Sequence, residues 1–255
     1  MTASREECVE NRTPPIALVV LAMILAAVQV RAQSPFAPGA ATRTPTATPS
    51  PVPPGEVEIE VVLLSGKKRL TGDDSVAWVP KLTARGRAET HVKIAQKNKQ
   101  FEPRIAVVSV GSQVDFPNFD RVFHNVFSLS TPQPFDLGLY RKGKSKSVRF
   151  DQPGLVQIYC NIHPHMVAYL MIVDSRRHGT ADARGRIRLR KIPPGVTTIE
   201  GWNVRGGMWS REVRVRPGRR SDITVELDVS SWRQVPHLNK HGKEYPPPDD
   251  DDFRY

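Results

Sequence analysis

The sequence predicts an all-β fold, a sandwich or barrel of many short strands, on three observations. First, apolar and polar residues alternate in Val57-Glu58-Ile59-Glu60-Val61, in Arg186-Ile187-Arg188-Leu189-Arg190 and in Glu212-Val213-Arg214-Val215-Arg216, the period of a strand with one buried face. Second, β-branched residues crowd Ile105–Val110, Leu155–Cys160 and Val167–Val173. Third, turn signals divide these runs: Val110-Gly111-Ser112, Gln152-Pro153-Gly154, Pro193-Pro194-Gly195 and Pro217-Gly218. Beyond the N-terminal leader no stretch keeps a 3.6-residue period. Many short strands at this spacing point to a sandwich or a barrel.

The segments follow in order. Residues 1–32 read as a signal peptide. An apolar run from Ile16 to Val30, broken only by Gln29, spans 15 residues, short of the roughly 20 that cross a bilayer as a helix. Val30-Arg31-Ala32 offers a small-residue cleavage site, which places the mature protein in the periplasm or outside the cell. Acidic Glu6, Glu7 and Glu10 before the run fit a signal poorly, so the leader is either cleaved after Ala32 or retained as an anchor. Residues 33–55, rich in Pro, Thr, Ala and Ser, read as a disordered or polyproline linker. Residues 229–255, with three prolines at 246–248 and four aspartates at 249–252, read as a disordered tail. The net charge of +11 therefore belongs to the folded body, 56–228. With 39% hydrophobic residues, the chain as a whole is not an integral membrane protein.

Export gives the cysteines meaning. Cys8 lies in the leader, so the mature chain keeps a single thiol, Cys160, too few for a disulfide framework. A lone Cys is either buried and inert or held by something, and its neighbours favour a metal. Tyr159-Cys160-Asn161-Ile162-His163-Pro164-His165-Met166 places a thiolate, an imidazole and a thioether on one short loop between two strands. His124, in Phe123-His124-Asn125-Val126-Phe127, can bring a second imidazole from another strand end. A mononuclear electron-transfer copper uses such a set: Cys, two His and a weak axial Met. Three ligands on a tight loop and a fourth in a rigid sheet hold one geometry for both oxidation states.

This constellation resembles the cupredoxins, the small blue copper proteins of the plastocyanin and amicyanin type. The Cys160–Met166 loop has amicyanin-like spacing, and His124-Asn125-Val126 is similar to the segment bearing the family's first His ligand. Phe101-Glu102-Pro103, the stretch Val110–Asn118 and Gln152-Pro153-Gly154 resemble the strands and turns that flank it. The resemblance covers about 88–174 and implies a Greek-key β-sandwich over 84–175. It also implies one type 1 copper held by His124, Cys160, His163 and Met166, Asn125 orienting the Cys loop, and His163 nearest the surface as the electron port. Two departures stand out. His165 is an extra imidazole that either competes with Met166 or faces solvent, and 128–149 is longer and more basic than a minimal cupredoxin needs. His91, His178, His237 and His241 lack spaced partners and read as surface residues.

Other readings are weaker. Structural zinc usually takes two or more Cys or a closed four-ligand set. A multicopper oxidase needs several His-x-His pairs, and His163-Pro164-His165 is the only one; a binuclear centre needs a second Cys in the loop. No catalytic constellation stands out, so the chain reads as a non-enzyme.

Residues 176–228 resemble the C-terminal half of a carboxypeptidase regulatory-like (transthyretin-like) sandwich. Residues 56–80 resemble its missing first half. The expectation is a small sandwich split by the copper-binding insertion, the alternative being that 56–80 merely adds strands to the insertion. Basic clusters at Lys67–Arg69, Arg141–Arg149, Arg184–Lys191 and Arg211–Arg220 form a solvated face, a steering surface for an acidic redox partner, or a surface attracted to the anionic cell envelope; export argues against nucleic acid. The functional expectation is a monomeric exported carrier of single electrons between envelope redox proteins. The alternative is a non-redox copper carrier or an adhesion-type β-sandwich.

Overall fold

The structure, a computed structural model, describes residues 51–82 and 91–245. The leader, the linker as far as residue 50, and the acidic run at 249–252 lie outside the described residues. Among the described residues there are eighteen strands and no helix. They are β1 (Gly55–Ser65), β2 (Lys68–Thr71), β3 (Ser75–Trp78), β4 (His91–Lys93), β5 (Ala95–Lys97) and β6 (Gln100–Glu102). Next come β7 (Ile105–Ser109), β8 (Ser112–Pro117), β9 (His124–Ser128), β10 (Phe135–Tyr140), β11 (Ser145–Phe150) and β12 (Gly154–Tyr159). The last six are β13 (Val167–Val173), β14 (His178–Thr180), β15 (Arg186–Ile192), β16 (Gly195–Asn203), β17 (Gly207–Val215) and β18 (Arg220–Asp228). The fold is all-β, as the alternation and turn signals predict.

Sixteen of the strands form two sandwiches, and β5 and β6 pair with each other as a separate hairpin. In the first, the sheet β10-β9-β12-β13-β7 faces the sheet β11-β8-β4. Val108, Val126, Val156, Ile158 and Leu170 from one sheet meet Val114, Phe116 and Phe150 from the other in a closed apolar core. The long basic stretch 128–149 divides between the sheets: β10 pairs with β9, and β11 with β8.

In the second sandwich, the sheet β15-β1-β18, with β2 added to β1, faces the sheet β14-β3-β16-β17. The central strand is β1. Val57, Ile59 and Val61 point into the core beside Ile187, Leu189 and Val225. On the opposite face Glu58 accepts from Arg188 at 2.7 Å and from Arg220 at 3.2 Å. Those guanidiniums, Arg188 first, hold the Glu58 carboxyl below the usual range. Segments 56–80 and 176–228 thus pair directly: β1 antiparallel to β15 and parallel to β18, and β3 between β14 and β16.

A third apolar cluster joins the two bodies. Val76, Trp78 and Trp202 pack with Ile105, Val107, Met171 and Val173, and Trp202 meets Tyr169 at 5.4 Å between ring centroids. At the rim, the Ser109 hydroxyl donates to the Ser175 carbonyl at 2.7 Å and accepts from His178 Nε2–H at 3.2 Å. His178 is therefore half-buried at the seam rather than the surface residue its isolation in sequence suggests; burial pushes its imidazole below the ordinary value. Two boundaries also shift. Gly55, placed in the linker, opens β1. Residues 229–245, placed in a disordered tail, run from the second sandwich to the first, anchored by Trp232 at one end and by His237 and Tyr245 at the other.

Candidate metal centre

Two strand ends create the site. β12 and β13 pair antiparallel, and their last rung is Tyr159 opposite Val167, so the intervening residues 160–166 form a tight loop. The Cys160 N–H donates to the Met166 carbonyl at 3.3 Å, and the Met166 N–H to the His163 carbonyl at 3.0 Å. β9 lies antiparallel to β12, with Phe127 opposite Tyr159, so its first residue, His124, starts where β12 ends. His124 is held from the other side by its ladder position opposite Tyr140.

The side chains converge. His124 Nδ1 and His163 Nδ1 are 3.1 Å apart, and Cys160 Sγ lies 3.9 Å from the first and 3.6 Å from the second. The point equidistant from these three atoms is about 2.1 Å from each. Transition-metal bonds to imidazole nitrogen and thiolate sulfur run about 2.0–2.3 Å, so the triangle fits one ion. His124, Cys160 and Met166 are fully buried, and His163 retains 6% exposure, making it the solvent-facing member. Met166 packs in the same core cluster as Cys160. His165 is exposed and meets the His163 ring edge-on at 6.1 Å, outside the triangle.

Electrostatics favour a neutral imidazole in His124. Burial lowers its basicity more than the neighbouring carboxylate raises it. The ring's far nitrogen, Nε2, donates to Asp120 Oδ2 at 2.8 Å, which leaves the Nδ1 lone pair directed into the site. Burial pushes the Cys160 thiol up, while backbone N–H groups of Ile162, Asn125 and His163 aimed at the sulfur pull the other way. A cation in the triangle would complete what those amides begin and favour the thiolate.

Two elements of the site are absent from the sequence reading. Asp120, on the irregular loop before β9, accepts from the backbone N–H of Asn98 at 2.7 Å and of Lys99 at 2.9 Å as well as from His124. Burial alone would raise its pKa, but these donors hold the carboxyl below its usual range. Its only sequence signal is a carboxylate four residues before a candidate ligand. The second element is the segment 237–245, which lies across the outside of the metal loop. His237, expected at the surface, stacks on Tyr159 at 4.0 Å; His91 and His241 are exposed.

No protein family's sequence profile matches the chain, and no curated protein matches it. Among solved structures the chain is similar to a copper-containing nitrite reductase from Thermus scotoductus, at 23% identity over 32% of this chain and 22% of that one, with a TM-score of 0.31. The matched part thus spans about a fifth of that enzyme. It is also similar to a purple cupredoxin from Nitrosopumilus maritimus, at 22% identity over 32% of this chain and 98% of that one, TM-score 0.29. An amicyanin variant in its reduced Cu(I) form is similar at 20% identity over 38% of this chain and 97% of that one, TM-score 0.31.

Proposed function

We propose that this chain is an exported protein that binds one copper ion and passes single electrons between redox partners of the cell envelope. The observation that carries the reading is the convergence of two buried imidazole nitrogens and one buried thiol on a point that a single ion would fill. His124, His163 and Cys160 would hold the ion, and Met166, buried in the same cluster as Cys160, would supply a weaker thioether contact. Copper, when bound, supplies a one-electron couple between Cu(II) and Cu(I).

The protein's part is positional. The Asp120 carboxylate fixes the His124 tautomer, and the two-strand frame fixes the distance from His124 to the loop. Met166 and the core behind it keep water from the sulfur. His163, the least buried of the set, marks the face where a partner would exchange electrons. Phe119, Phe123 and Ile162, on the loops that carry His124 and Cys160, are each more than two-fifths exposed. The hairpin after Tyr140 carries Arg141, Lys142 and Lys144, all exposed, and would favour an acidic partner. In this reading the chain is a monomeric carrier and not an enzyme.

The test is to load the purified mature protein with copper and record its visible spectrum. A single intense thiolate-to-copper band is expected, lost in Cys160→Ser. An intense band that survives in Cys160→Ser refutes the ligand assignment. Reversible one-electron cycling supports transfer, whereas release of copper on reduction points to carriage.

A further inference from the structure

The polar outer face of the metal loop is occupied by a segment that belongs, by connectivity, to the other sandwich. After β18 the chain passes Trp232, which packs on the second core, and then reaches the loop of the first. There Tyr245 O–H donates to the Cys160 carbonyl at 2.9 Å. The Lys240 N–H donates to Asn161 Oδ1 at 3.0 Å, and His237 Nε2–H to the Pro164 carbonyl at 2.7 Å. The His237 ring stacks on Tyr159, at 25° between planes, and meets Tyr245 edge-on. A second line of contacts reaches the far side of the site. Lys240 Nζ pairs with Asp136 Oδ2 at 2.8 Å, and Asp136 Oδ1 accepts from Asn125 Nδ2–H at 2.6 Å. Asn125 is the residue after His124, and its backbone N–H points at the Cys160 sulfur.

We propose that residues 237–245 are a clamp that positions the metal-binding loop. Tyr245, His237 and Lys240 are positioning residues: they hold the carbonyls of Cys160 and Pro164 and the Asn161 amide, and so fix the sulfur and the His163 ring between them. Water would otherwise solvate these groups, and the loop would sample more arrangements. With the clamp in place the loop opens rarely, so a reagent reaches Cys160 slowly and an ion leaves slowly. Only the ion-release part rests on the copper reading.

The experiment uses the full mature protein, first free of metal. Alkylation of Cys160 by iodoacetamide is followed by mass spectrometry of the peptide that contains it, and amide exchange is followed at Ile162 and His163. Tyr245→Phe removes one neutral donor and keeps the ring. A hydrogen bond contributes about 1 kcal/mol, so alkylation should accelerate about fivefold. His237→Ala, which removes the stack as well, should accelerate it more. His237→Gln, which keeps a donor for Pro164, should recover part of the protection. Melting should fall by no more than a few degrees, because neither core contains His237 or Tyr245 and both sandwiches stay packed. In the copper-loaded protein the same order of variants is expected for release of the ion to a chelator. Alkylation and exchange within about twofold of the parent in both Tyr245→Phe and His237→Ala overturn the clamp. If copper gives no thiolate band but alkylation still follows the predicted order, the clamp stands and the copper reading falls.

Discussion

The carboxylate behind His124 allows a sharp test. In Asp120→Asn the side chain keeps its size but loses its charge and one acceptor. Asp120 takes three hydrogen bonds, from Asn98, Lys99 and His124. An amide whose oxygen faces His124 and Lys99 turns its NH2 group toward the Asn98 N–H; the opposite flip sets two donors against the ring. The better arrangement keeps the His124 bond as a neutral one. Charged hydrogen bonds are worth about 1.5–3 kcal/mol and neutral ones about 0.5–1.5, a difference of about 1.4 kcal/mol for the ring alone, or tenfold in affinity. Loss of a partner behind a metal-binding imidazole typically costs 10–100-fold, which agrees. Cu(II), the harder and more charged ion, should feel the loss of imidazole basicity more than Cu(I). A tenfold loss confined to the oxidised ion raises the reduction potential by about 59 mV. Competition with a chelator and voltammetry of the loaded protein measure both. A variant with affinity within about twofold of the parent and an unmoved potential would show that Asp120 braces the 98–99 turn and nothing more.

Two further tests address the fold. At Gly201 an added Cβ would lie 2.0 Å from Trp209 Cζ2 and 2.7 Å from the Val76 carbonyl oxygen. Gly201→Ala should therefore cost about 1–3 kcal/mol in chemical denaturation while the copper spectrum stays unchanged; a neutral result would mean that Trp209 moves freely. His178 gives a pH test. Its folded-state pKa is depressed by burial, so its contribution is complete above about pH 6.5 and is lost as pH falls below that. His178→Gln should flatten the parent's loss of stability as pH falls from about 6.5 to about 5, read from chemical denaturation at each pH. Parallel stability curves for parent and variant would contradict the seam assignment.

The features legible in the sequence share a short range or a fixed period. Val57, Ile59 and Val61 alternate with Glu56, Glu58 and Glu60, and the burial follows that alternation. Cys160, His163 and Met166 stand out because one loop carries them. His124 needs only a strand beside that loop. Asp120 is different: it sits in an irregular turn, and its value depends on where the His124 ring points after folding. The 229–245 segment is rich in Pro, Lys and other polar residues, which is also how a solvated tail looks; its anchors matter only once Tyr159 and the loop carbonyls are in place. Charge counting also misjudges β15. Arg188 and Arg190 look like free cations, but both pair with Glu56 at the sheet surface, and Arg188 with Glu58 as well.

The first sandwich begins and ends at one place. Val79 N–H donates to the Arg177 carbonyl at 2.9 Å and Arg176 N–H to the Leu82 carbonyl at 3.2 Å, so the chain departs from the second sandwich and rejoins it along adjacent tracks. In chain order β1 comes long before its partners, for Ile59 pairs with Ile187 and Val61 with Val225. The inserted body, by contrast, has all its strands in hand once Val173 is reached. The first sandwich can therefore form from one continuous stretch of chain while the second is still an open pair of ends, and the second closes last, like a clasp fastened around a finished stone.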